Sequence, residues 1–150
     1  MEKKKWTLVN AENVVPYVCG PDYSSKMLTG DEMAGQQVIN INEGTLQPHM
    51  RTGGDAHEKT EIYYMVDVGD PSYVVLDGEF VKVKNGDIII IPGGVFHYID
   101  NLDCDKPFKL FTLWPEQEQN GVFFVRQKAW GTSVKNVDDH YTEKRLGFKK

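Results

Sequence analysis

The chain has 150 residues, 17 Lys and Arg against 22 Asp and Glu, a formal net charge of −5 at pH 7, and two cysteines. That length fits one domain with a single core, and the negative balance argues against a nucleic-acid partner, whose phosphates need a basic surface. No apolar stretch approaches the ~20 residues of a membrane helix, the amino terminus lacks the apolar segment of a secretory signal, and Cys19 and Cys104 lack C-x-x-C spacing; the expectation is a cytoplasmic protein with no membrane partner, disulfide or thiolate zinc site.

In chain order, Lys3 to Lys5 read as a charged tail, as do Lys149 and Lys150 at the other end, and Trp6 to Val9 and Val38 to Asn42 are the first strand candidates. The stretch from Pro48 to Glu61 then holds His49, Asp55, His57 and Glu61 and leads directly into a strand candidate over Ile62 to Asp67. If this region is extended, Asp55 and His57 face one side, and Glu61 and Tyr63 repeat that relation, lining the interior while Ile62 and Tyr64 pack on the other face. A carboxylate at the head of an Ile-Tyr-Tyr-Met-Val run is expensive to bury without a cation or hydrogen-bond donors. Asp55 also suits the cap of the Gly53-Gly54 turn, and Glu58 with Lys59 reads as a solvated loop.

Tyr73 to Leu76 and Phe80 to Val83 follow, separated by the hairpin signal Asp77-Gly78, and Asn85-Gly86 marks the next turn. Ile88 to Ile91 is a β-branched run expected to be a strand buried on both faces, and Pro92-Gly93-Gly94 forces a turn after it. His97 opens the next run, Val95 to Ile99, with Phe96 and Tyr98 beside it. It joins His49 and His57, so three of the four histidines fall into one constellation with a carboxylate. Such a nitrogen and oxygen set suits a divalent transition metal of borderline softness. Phe108 to Leu113 and Val122 to Val125 complete the strand candidates. No segment sustains the apolar period near 3.6 of a long helix, so many short strands predict an all-β sandwich or barrel.

Gly86 to Asn101 matches the second cupin motif, G-x5-P-x-G-x2-H-x3-N, at every specified position. The first motif, G-x5-H-x-H-x3,4-E-x6-G, is met in part by His57, Glu61 and Gly69, the last one residue late, with Asp55 standing where the first histidine belongs. Over residues 44 to 101 the chain thus resembles the cupin superfamily, and a looser likeness extends through Phe108 to Pro115. The resemblance implies a double-stranded β-helix, the cupin jelly-roll barrel, as one domain over residues 1–150. Its core would span about 36–115, with short irregular terminal extensions, the C-terminal one over 116–150. It also implies a metal held by His57, Glu61 and His97. The fourth ligand is His49, which would complete a three-His, one-Glu set, or Asp55, which has the better spacing, or water.

A metal (Zn, Fe, Mn, Ni or Co) in a barrel mouth points to a small-molecule substrate. Two enzyme classes fit: proton transfer on a sugar-like or hydroxy-carbonyl compound, as in an isomerase, epimerase or lyase, with Glu61 and Tyr63 as proton carriers; or oxidation by an iron-dependent dioxygenase. A non-catalytic metal-binding or ligand-binding cupin is the third reading. Tyr63, Phe96 or Tyr98, and Phe111 are expected in the cavity wall. The segment Phe123 to Thr132, with Arg126, Lys128 and Trp130, would close over the pocket or pack on a second subunit. Edges of such a fold are hidden by closure or by pairing, and a homodimer is expected.

Overall fold

A computed structural model describes residues 8, 10–14, 16–19, 23–28, 39–54 and 56–115. Asp55, most of the Trp6 to Val9 run, Val122 to Val125 and the whole of residues 116–150 lie outside the described residues.

The described chain is all-β apart from one 3-10 turn at Ala11–Asn13, capped by the Asn10 side chain. Its strands are β1 (Tyr17–Cys19), β2 (Tyr23–Met27), β3 (Ile39–Leu46), β4 (Glu61–Asp67), β5 (Tyr73–Leu76), β6 (Glu79–Lys82), β7 (Ile88–Ile91), β8 (His97–Asp100) and β9 (Phe108–Pro115). They form two antiparallel sheets, one ordered β1-β2-β3-β9-β4-β7 and the other β6-β5-β8. This is an antiparallel jelly-roll arrangement, the fold that the motif resemblance implied.

Alternation decides what each strand buries. Along β3 the inward positions are Asn40, Asn42, Gly44 and Leu46; along β4 they are Glu61, Tyr63 and Met65. Leu46, Met65, Phe108 and Leu110 from the large sheet and Val74 and Ile99 from the small one close the apolar core. β3 runs four residues beyond the expected Val38 to Asn42 segment because Gly44, which reads as a breaker in sequence, is a place of close approach. A Cβ there would lie within 3.2 Å of Leu110 Cδ2 and collide with the Tyr23 hydroxyl.

Two sequence expectations need correction. Ile88 to Ile91 is not buried on both faces: Ile88 and Ile90 are 60 % and 66 % exposed, while Ile91 is buried. The run is the edge of the large sheet, so only its inner face meets the core. Phe111 does not line the interior either. It stacks on Tyr64 across the outer face at a centroid distance of 6.5 Å, because the register gives the inner face of β9 to Phe108, Leu110 and Thr112.

Candidate metal centre

Glu61 and His97 are the first residues of β4 and β8, and His57 lies in the loop that leads into β4. What holds that loop is the turn after β7. Gly94 takes the left-handed conformation, φ 85°, and its amide donates to the His57 carbonyl at 2.8 Å. Gly93 packs so closely on the same loop that a Cβ would sit 2.0 Å from the Glu58 carbonyl oxygen. The glycines that punctuate the sequence therefore fix where His57 stands.

The geometry brings His57, Glu61 and His97 together, with one donor atom from each all within 4.8 Å of one another. His57 Nε2 lies 2.8 Å and His97 Nε2 3.1 Å from the same carboxylate oxygen, Glu61 Oε2. The two rings are 5.2 Å apart between centroids, inclined at 56°. Burial alone raises the Glu61 carboxyl, but the hydrogen bonds and charges of His57 and His97 outweigh it and hold the group below its ordinary value. A buried carboxylate is thus kept anionic by two imidazoles.

The donor set fits a divalent transition metal. His97 Nδ1 lies 2.8 Å from the Val95 carbonyl, and only an N–H satisfies a carbonyl, so it is Nε2 that faces Glu61, as a second N–H donating to the carboxylate or, once that proton is displaced, as the lone pair a cation takes. A lone pair 3.1 Å from an anionic oxygen is repulsive unless a proton or a cation lies between them. Two imidazole nitrogens and one carboxylate oxygen are also a common ligand set for such a cation.

Tyr63 follows Glu61 on the inner face, buried, with its ring edge-on to His97 at 5.6 Å. Phe96 is about half exposed, packed where a Cβ on Gly54 would strike its ring, and Tyr98 is half-buried with Arg51 over its ring at 5.9 Å.

His49 is not brought to this group, a correction to its expected role as fourth ligand. It sits at φ 61° in the turn after β3, its Nδ1 is 2.9 Å from the Leu102 carbonyl, its Nε2 is 2.9 Å from Asp105 Oδ1, and its side chain is 59 % exposed. Both ring nitrogens are committed to the loop after β8. Asp55, the other candidate, lies outside the described residues. The terminal motif residue Asn101 proves to be a tie between loops. Fully buried, it accepts from Ser72 Oγ at 2.9 Å and donates to the Lys106 carbonyl at 2.8 Å.

Sequence reasoning missed the buried polar residues on the sheet face that carries Glu61: Asn40, Asn42 and Thr112, with Ser25 hydrogen-bonded to Asn42. The signal was present in Val-Ile-Asn-Ile-Asn, where alternation puts both amides on one face.

Residues 42–114 match the cupin domain model. No curated protein sequence matches the chain. Similar solved structures include KdgF from Halomonas sp., with a TM-score of 0.62 at 16 % identity, covering 76 % of this chain and 98 % of that one. A predicted oxalate decarboxylase from Thermotoga maritima has a TM-score of 0.62 at 20 % identity, covering 73 % and 99 %. The polyketide cyclase RemF from Streptomyces resistomycificus has a TM-score of 0.62 at 19 % identity, covering 77 % and 80 %. The likeness to these structures is one of fold. Residues 42–114, whose second motif is intact from Gly86 to Asn101, are a domain of the cupin superfamily.

Proposed function

We propose that the protein is a metal-dependent enzyme that moves a proton between carbons of a small hydroxy-carbonyl compound, as an isomerase, epimerase or lyase does. The observation that carries this reading is the convergence of two imidazole nitrogens on one Glu61 oxygen, with His97 Nε2 turned inward because Val95 engages Nδ1. When bound by His57, Glu61 and His97, a Zn, Fe, Mn, Ni or Co ion supplies Lewis acidity that polarises a substrate oxygen.

The remaining work falls to this chain. Glu61 is committed to both histidines, so the proton carrier is Tyr63, on the same inner face and beside His97: as phenolate it takes the proton from one carbon, and as phenol it returns it to the other. Burial of Tyr63 and His97 keeps bulk water from competing for that proton. The exposed Ile88 and Ile90 on the edge strand, beside Tyr64 on β4, support a homodimer through this outer face. Sedimentation of the wild type and of Ile90→Lys tests it: a dimer that the lysine dissociates is expected, and a wild-type monomer refutes it.

The test of function is metal analysis of untagged protein followed by incubation of the loaded enzyme with hydroxy-carbonyl compounds in deuterated water. Deuterium entering the carbon next to the carbonyl, and lost in Tyr63→Phe, is the expected result. Oxygen uptake without that exchange would move the protein to the dioxygenase class, and absence of metal at this site would remove the reading altogether.

A further inference from the structure

The inner face of the large sheet changes character along its length. Toward one end the cross-strand rows are apolar, Gly44 with Leu110 and Met65, then Leu46 with Phe108. Toward the other they become polar. Tyr63 stands opposite Thr112 and Thr112 opposite Asn42, so three neighbouring strands set three polar side chains in one line. Asn42 Nδ2 donates to Thr112 Oγ1 at 3.2 Å, and Ser25 Oγ donates to Asn42 Oδ1, closing the line on β2. Ser25, Asn42 and Thr112 are all buried.

The next row holds Asn40 opposite Trp114, and one step beyond the Ile62–Leu113 pair it reaches Glu61. Asn40 is fully buried. Its Nδ2 donates to the Pro115 carbonyl at 2.9 Å, while its Oδ1 has no hydrogen-bond partner among the described residues. A buried amide oxygen without a donor is costly, and sites that leave one are completed by a water or by a ligand hydroxyl. The polar rows also contain Glu61 and Tyr63, so this unmet acceptor shares its sheet face with one of the three metal donors, Glu61.

We propose that Asn40, supported by the Asn42–Thr112 pair, is the specificity-determining residue for the tail of the substrate. The substrate class is an acyclic polyhydroxy acid or polyhydroxy-carbonyl compound whose head oxygens meet His57, Glu61 and His97 and whose tail hydroxyl donates to Asn40 Oδ1. Glu61 and Asn40 stand two strand spacings apart, about 10 Å, which suits a chain of about four to six carbons. The proposal rests on the metal-centred reading above and extends it from reaction class to substrate class.

The experiment is calorimetric titration of the full, metal-loaded chain with erythronate and with 2-hydroxybutyrate, which share a carboxylate and its neighbouring hydroxyl but differ in the tail hydroxyls. Erythronate is expected to bind about tenfold more tightly, the effect of one well-placed hydrogen bond in a buried site. Asn40→Leu should bring erythronate down to the affinity of 2-hydroxybutyrate while metal stoichiometry and 2-hydroxybutyrate binding stay unchanged. Thr112→Val, close to isosteric, should shrink the same ratio if the leucine variant does not fold. Equal affinities in the wild type mean that water completes Asn40 and overturn the proposal, whatever the variants do. A preference that survives in Asn40→Leu overturns it too. Failure to load metal refutes the underlying reading, shows before any titration, and takes the proposal with it.

Discussion

Gly93 lies against the backbone of Glu58, so close that a Cβ would come within 2.0 Å of its carbonyl oxygen. The neighbour is main chain and cannot swing aside as a flexible side chain would. The turn after β7 and the His57 loop are therefore shaped to one another.

Gly93→Ala is expected to displace His57 and lower metal affinity about 10- to 100-fold, the usual effect of disturbing what orients a ligand. It should also cost about 1–3 kcal/mol of stability through overpacking. Competition against a chelator and a melting curve measure the two effects; unchanged metal affinity would show that the loop adapts.

His97→Ala and His49→Ala should behave differently although both remove an imidazole. Loss of His97 leaves two of the three converging donors and strips most bound metal, whereas loss of His49, engaged with Leu102 and Asp105, leaves stoichiometry intact. Elemental analysis of the purified variants decides it.

Asn101→Ala removes the donor and acceptor that tie Ser72 to the Lys106 backbone inside the protein. With polar partners left buried, the expected loss is about 3 kcal/mol, read from denaturant unfolding. Asn101→Asp should restore little, since a carboxylate cannot donate to the Lys106 carbonyl.

The Leu102 carbonyl, aided by Asp105, raises the His49 pKa above 6.5 in the folded protein. A raised value means that protonation favours the fold. The contribution is fully present below about 6.5 and disappears as pH climbs through the folded value. Wild type should therefore exceed His49→Gln in melting temperature at about pH 5.5 and converge with it at about pH 8.5. Being solvent-exposed, the effect should be small and should fade with added salt.

Much of this was legible in the chain. The Gly86 to Asn101 motif announced β7, the glycine turn and the inward His97, and alternation from Glu61 placed Tyr63 inside. His49 was misjudged because nothing in its spacing reveals a left-handed backbone or an acceptor more than fifty residues away. The isoleucine run looked doubly buried because β-branched composition reports strand propensity and not position in the sheet, which here is the edge. Phe111 depended on register, where one residue reverses the face. Alternation in Val38 to Asn42 put Asn40 and Asn42 on one face without telling which one; the pairing with β9 makes that face interior.

Two of the three converging donors are rooted in sheet, but His57 hangs from a connecting segment clasped through the Gly94 amide and the Gly93 backbone. The clasp is therefore the expected point of release for a cation held here, ahead of the strands that carry Glu61 and His97. Extraction kinetics should follow the local lifting of this segment, so an occupant can be long-lived even where equilibrium affinity is modest.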